Sequence, residues 1–516
     1  MKKFLAMLLS LVMLLGAFSG CAKQTNEKSP GDSSSSKTPP ANATYQKSIV
    51  CGLGGKIVSL DPQANSNTQH NYYFRMNFDT LIDFDNATGK LLPCLAEKWE
   101  TEDSKTYVFT LRKDVKFHDG GKFTAEDVKF TFVRGVDSDT STTLCKLIET
   151  MDVTDDTHIS ITLKQTNVDF PFLLTLPTAS ILSKAAVEAN PTDGYKIGSG
   201  PWKTDSFVVG DYLKLTRNDD FWGEKAKAET FTLRYMPDNS ARVIALETGE
   251  IDLCADPDTL DLDRIRDNSK LELQSYVGSS ITYLAMNNKK APFDDENLRL
   301  AMAYGVDPQE LIDVVKNGEA QPVKSLWGWN EYGYNGGKTA FTYDVEKAKE
   351  YLAKAGYANG GFKFKLSVSA GERKSCAEII QAQMKKIGVE VEIVEFDSAG
   401  LSKSTTNGEH EAALYGCGMN IFGDDARRLI CPGTGVNKSH YDNAKVNELM
   451  DLAVQEQDDA KRKEYYAEVQ QILHDTAGYV PLYFANGFFG VKKGTGGIDY
   501  YPTSHHDMSN VYIVVQ

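Results

Sequence analysis

The residues able to do chemistry come in short clusters, and most fall one group short of a working set. Glu409-His410-Glu411 opens like a zinc-protease motif, but His410-Glu411-Ala-Ala-Leu414 lacks the second histidine one helical turn on. Gly433-Thr-Gly-Val-Asn-Lys438-Ser439 resembles a phosphate-cradling loop, yet Asn437 precedes the lysine and Pro432 stands where the first glycine belongs. No G-x-S-x-G nucleophile elbow occurs. His505-His506 is the only adjacent histidine pair, and its place near the C-terminus fits a surface feature better than a metal site. Seven cysteines follow Cys21, namely Cys51, Cys94, Cys145, Cys254, Cys376, Cys417 and Cys431, without a C-x-x-C among them. That spacing supports neither a zinc ribbon nor a disulfide framework, so buried free thiols are expected. No residue is nominated as catalytic, as a metal ligand or as a cofactor partner.

The N-terminus speaks to compartment. Lys2-Lys3 form a basic head, Phe4 to Phe18 is an apolar stretch of 15 residues, and Ser19-Gly20 precede Cys21. The stretch suits a signal-peptide core better than a spanning helix. The order basic, apolar, small, cysteine is that of a bacterial lipoprotein signal, with residues 1–20 removed and Cys21 acylated. Residues 21–44 are rich in Ser, Pro, Lys and Asn, a composition that cannot offset its ordering entropy by burial, so a flexible tether is expected. The folded body is then lipid-anchored at the outer face of the cytoplasmic membrane, in the periplasmic space if the cell is Gram-negative.

The elements that must position any site follow from length and pattern. At 516 residues, with 41% hydrophobic and 10% aromatic side chains, the chain can bury several cores. Its formal charge of −15 repels nucleic acid, and no basic cluster offsets it. Thr106–Arg112 and His158–Lys164 alternate with period two and predict strands. Thr124-Ala-Glu-Asp127 predicts a helix running to about Arg134, and Asp307-Pro308-Gln-Glu310 one that Gly318 closes. Ser375-Cys-Ala-Glu378 reads as a capping box, followed after Gly388 by a strand through Val389, Val391 and Ile393. Two further helices are expected near 443–457 and 459–474. Strands and helices alternate throughout, which argues for a mixed α/β protein.

Ordered blocks along the chain carry a family resemblance. Leu92-Pro-Cys-Leu-Ala-Glu-Lys-Trp99, Asp103, Tyr107 through Gly120 and Thr124-Ala-Glu-Asp-Val128 form the first, after Leu60-Asp-Pro62. Gly198-Ser-Gly-Pro-Trp202, Phe221-Trp222-Gly223, Asp238-Asn-Ser-Ala-Arg242 and Leu246 through Asp252 come next. Leu284-Ala-Met-Asn287, Pro292-Phe-Asp-Asp295, Tyr343-Asp344, Lys386-Ile-Gly-Val389 and Val480-Pro-Leu482 complete the run. Over nearly all of 48–516 the chain resembles the ABC-transporter solute-binding proteins of family 5, the dipeptide, oligopeptide and nickel class.

The resemblance implies a two-lobe periplasmic-binding-protein fold, α/β, hinged, with an extra subdomain on the first lobe. The first lobe is expected at 45–79, 194–281 and 485–516, the extra subdomain at 80–193 and the second lobe at 282–484. It implies a monomer that is not an enzyme, which takes a peptide or peptide-like solute between its lobes and hands it to ABC permease and ATPase subunits. The expected ligand contacts are Tyr415, Gly416, Cys417 and Gly418, where two glycines leave backbone open to a ligand strand. Members that hold a peptide ammonium use an aspartate just beyond. Here Asn420 stands at that place, with Asp424 and Asp425 shortly after. The alternatives are nickel taken as a metallophore complex, for which His410 and His440 would matter, and an envelope enzyme.

Overall fold

The structure is a computed structural model that describes residues 43–64, 68–86, 88–138, 142–328, 331–504 and 506–515. The signal segment, Cys21 and His505 lie outside the described residues, as does nearly all of the tether.

One long sheet organises the body. Its strands in chain order are β1 (Ser48–Leu53), β2 (Trp202–Val208), β3 (Tyr212–Arg217), β4 (Thr230–Tyr235), β5 (Leu253–Ala255) and β6 (Leu271–Met286). There follow β7 (Phe362–Ser369), β8 (Val389–Phe396), β9 (Ala412–Gly418) and β10 (Val480–Lys492). Their spatial order is β8-β7-β9-β6-β10-β5-β1-β4-β3-β2, with the short strand Ala320–Pro322 added to β10. The two long strands β6 and β10 run antiparallel to each other and belong to both halves of the sheet. Their ladder is regular from Leu271↔Lys492 to Val277↔Asn486, breaks, and resumes at Ile281↔Phe484. Gly278 sits in the break because a side chain there would come within 2.6 Å of the Ala485 carbonyl oxygen.

Separate cores flank the two halves. Ile49, Leu53, Trp202, Leu215, Phe231 and Phe489 belong to the core on the β1 side. On the β7 side, Phe293, Met302, Leu311, Leu366, Ile380 and Leu482 pack one face. The other face there is closed by Trp327, Leu429, Leu449, Tyr466 and Val469. A further core, with Tyr107, Phe109, Leu111, Ile159, Ile161 and Phe170, lies under a sheet ordered Ala96–Glu100, Thr106–Leu111, His158–Leu163, Ile148–Asp155. The two strands expected from period-two alternation are therefore neighbours, paired Thr106↔Thr162 to Thr110↔His158.

Local chemistry sets the helix ends. Thr124 gives its backbone N–H to Asp127 Oδ2 at 2.9 Å ahead of the helix Ala125–Gly135, and Asp307 Oδ1 accepts from Gln309 N–H at 3.0 Å ahead of Pro308–Val315. Asn443 caps Ala444–Gln455, and Asp458 caps Asp459–Asp475. One start differs from expectation. The helix read from Ser375 begins three residues earlier, as Glu372–Lys386, after Gly371 turns the chain at φ +77°. That earlier start brings Glu372 and Arg373 into the first turn.

Candidate ligand-binding cleft

Strand β9 pairs with β6 over its whole length, from Ala412↔Met286 to Gly418↔Ser280. On its other side β7 reaches only Ala412 and Ala413. Leu414 to Gly418 thus keep one edge free of strand partners among the described residues, so the N–H and C=O groups that point to that edge can pair with an added chain. Gly416 and Gly418 share a face. A Cβ at Gly416 would lie 3.3 Å from Arg373 Nη2, and at Gly418 nothing stands within 4 Å. Tyr415 and Cys417 face the other way, against the core that holds Tyr283 and Tyr479.

A cavity of about 240 Å³ opens between the two halves of the sheet, lined by Asn239, Asp256 and Asp258 from one, Lys316 and Glu372 from the other, and Asn486 at the ladder break. Lys316 Nζ pairs with Glu372 Oε2 at 2.9 Å, and Tyr483 donates to Glu372 Oε1 at 2.8 Å. Tyr483 on β10 is paired through Thr282 on β6 to Gly416 on β9, so one strand separates the cavity side from the open glycine face. Partial desolvation at the cavity wall raises the Asp256 carboxyl above the usual carboxylate range, with the Arg242 guanidinium opposing the rise.

Beyond β9 the polar residues satisfy one another. Asn420 gives its backbone N–H to Asp425 Oδ2 at 2.9 Å and its amide to Oδ1 at 2.8 Å. Arg428 clasps the same carboxylate at 3.1 and 3.0 Å, reaches Cys417 Sγ at 3.0 Å and donates to the Gly418 carbonyl. Asp424 is held by Arg427 Nε at 2.8 and 3.1 Å. Burial still raises its carboxyl to about 7. The expected residues Tyr415, Gly416, Cys417, Gly418, Asn420, Asp424 and Asp425 thus form one continuous strand and turn, with both carboxylates already counter-charged. Arg373, Arg428, Lys316, Glu372 and Asp256 were not anticipated. Arg427-Arg428, three residues after the acidic pair, was the one legible signal.

Comparison with known proteins supplies the family. The family described as bacterial extracellular solute-binding proteins, family 5 (middle region) matches residues 90–437, about two thirds of the chain. The chain belongs to that family. It is 29% identical over 513 residues to the dipeptide-binding protein of Escherichia coli, covering 92% of this chain and 96% of that one. It is 26% identical to heme-binding protein A of Haemophilus influenzae, covering 93% and 95%. Among solved structures, the periplasmic binding protein DppA of Helicobacter pylori in complex with the peptide STSA superposes with a TM-score of 0.77 at 27% identity, covering 92% and 99%. Family 5 proteins are extracytoplasmic binding components of transporters and not enzymes.

Within this family 5 chain the histidines serve structure. His410 is only 3% exposed, and its Nε2 is 2.8 Å from the Lys438 carbonyl. His440 Nε2 is 2.8 Å from the Thr405 carbonyl, with the two rings 5.8 Å apart. His506 is likewise buried, not superficial: its Nδ1 accepts the Tyr501 N–H at 3.0 Å and its ring stacks on Tyr72. Among the described residues no group of three or more His, Cys, Asp or Glu could hold a metal ion. The seven described cysteines are free thiols, with Cys94 and Cys417 half-buried and the rest buried.

Proposed function

We infer that this protein captures a peptide-like solute between its lobes and delivers it to the permease and ATPase subunits of an ABC importer. The free edge of β9 at Leu414–Gly418 is the observation that carries this reading. A ligand backbone laid there gains main-chain hydrogen bonds independent of its side chains, and the glycines leave room for its approach. Arg373 stands over the same face as a partner for an anionic group of the solute. The dipeptide-binding and STSA-binding relatives support the same class of solute. Nickel capture gains no support from His410 and His440, whose Nε2 atoms are turned to backbone carbonyls.

The lobes of this reading are 45–79 with 194–281 and 485–516, and 282–484, with 80–193 appended to the first. They hinge where the β6–β10 ladder breaks. The receptor works as a monomer tethered through a lipid on Cys21. Calorimetric titration with di- to pentapeptides and with nickel salts tests the solute class: peptides should release or absorb heat at one site per chain, and nickel should not. Cys21→Ser should move the protein from the membrane fraction to the soluble one with its fold unchanged. Retention at the membrane would overturn the anchor.

A further inference from the structure

The carboxylates that line the interlobe cavity are not equivalent. Glu372 is engaged by Lys316 and Tyr483. Asp258 is turned inward as the cap of Thr259–Asp261, accepting the Leu260 N–H at 3.0 Å. Asp256 alone of the three has no hydrogen bond or ion pair to its carboxylate among the described residues, and its side chain is open to the cavity. Arg242, the nearest cation, is spent elsewhere: it donates to the Met236 carbonyl at 2.6 Å, to Asn239 Oδ1 and to the backbone carbonyl of Asp256 at 3.1 Å.

The backbone is arranged to present that side chain. Asp256 sits at φ +48°, a left-handed conformation that Asp and Asn tolerate better than other non-glycine residues. Its N–H is held by the Phe488 carbonyl at 3.1 Å and its C=O by Arg242, so both sides of the strained residue are pinned. Asn486, on the same cavity wall, has its Oδ1 buried without a donor. Unmet acceptors at a cavity call for a ligand rich in N–H donors. Across the cleft, the turn after β9 offers no uncompensated negative charge, because Asn420 is neutral and Asp425 is neutralised by Arg428.

We propose that Asp256, from the first lobe, holds the cationic amine of the solute, so that the amine-binding charge stands on the opposite wall from the Asn420 turn. The proposal rests on the peptide-like reading above and adds a polarity to it: amine toward Asp256, backbone along β9, anionic group toward Arg373. It also gives the amine a part in closure, since a ligand bridging Asp256 and β9 touches both lobes.

The test is calorimetry on the full-length receptor, with free-amine di- to pentapeptides and the same peptides N-acetylated, against the parent, Asp256→Asn and Asn420→Asp. Asn suits the left-handed backbone, so Asp256→Asn should keep its thermal midpoint, which is measured alongside. The parent should favour free-amine peptides by about tenfold or more, the size expected of a charge-assisted hydrogen bond. Asp256→Asn should abolish that preference while N-acetylated peptides bind as before, and Asn420→Asp should leave it in place. If Asp256→Asn keeps the preference, Asp256 is not the amine partner although the peptide reading stands. If no free-amine peptide binds the parent, the peptide reading falls and the role of Asp256 with it.

Discussion

Arg462 Nη2 donates to Asp169 Oδ1 with both side chains almost wholly withdrawn from solvent, 8% and 2% exposed. The pair joins the segment ahead of Phe170 to the helix Asp459–Asp475, and Val168 N–H to the Val454 carbonyl at 2.9 Å repeats the junction. Asp169 Oδ2 accepts the Asp424 N–H at 3.3 Å, which ties the junction to the turn that follows β9. Asp169→Ala leaves Arg462 buried without its counter-charge, a loss of roughly 3–5 kcal/mol unless the lobes part to hydrate it. Denaturant titration should show that loss, or small-angle scattering an enlarged radius of gyration without ligand. A variant unchanged in both would remove the pair from any part in lobe contact.

Gly418 separates folding from binding. Its open face has room for a side chain, so Gly418→Leu should change stability by no more than about 0.5 kcal/mol. The same side chain occupies space a ligand strand needs and should weaken peptide binding by about tenfold or more. Unaltered affinity in a well-folded Gly418→Leu would move the ligand away from this face.

Buried histidines set the acid limit. Burial lowers both His70 and His410 to about 4. His70 Nε2 accepts the Val58 N–H at 2.9 Å, which requires the neutral ring. The unfolded chain binds protons near pH 6.5 while the folded chain resists until about 4, so stability falls as pH drops through that window. Each residue contributes on the order of 2 kcal/mol to the fall. Asp424, whose carboxyl is raised to about 7, takes up its proton in the folded chain first and opposes this fall, so the test is differential. Between pH 7 and 4 the change in thermal midpoint with pH should differ between the parent and His70→Gln, with the variant losing less on acidification. Identical pH dependence in the parent and His70→Gln would contradict this.

Much of the body was legible from pattern. Period-two alternation placed Tyr107, Phe109 and Leu111 in the subdomain core, and side-chain caps at Asp307 and Asn443 opened the expected helices. These signals are local, and so is the physics behind them. The cleft was less legible because its parts meet across long sequence distances. Gly416 faces Thr282, Tyr483 reaches Glu372, and Arg373 covers Gly416 only because its helix starts early at Gly371. The carboxylates Asp424 and Asp425 looked free in sequence, and only the helical turn that follows brings Arg427 and Arg428 back onto them. The Asp256 carboxylate looked like any surface acid until the fold set it between the lobes.

Ligand binding should close and stabilise the receptor together. A solute bound only by the folded chain adds about 2.7 kcal/mol of stability at 100 times its Kd. The thermal midpoint should rise with the same ligands that shrink the radius of gyration. A rise in midpoint without contraction would argue for a rigid cleft.

Native mass spectrometry of the receptor, incubated with a peptide library and washed, tests the central claim most directly. The account predicts one bound peptide per chain, released on denaturation, fragmenting at amide bonds, and absent from Gly418→Leu treated alike. Retention of a nickel complex, or of a solute without an amide backbone in place of any peptide, would contradict it.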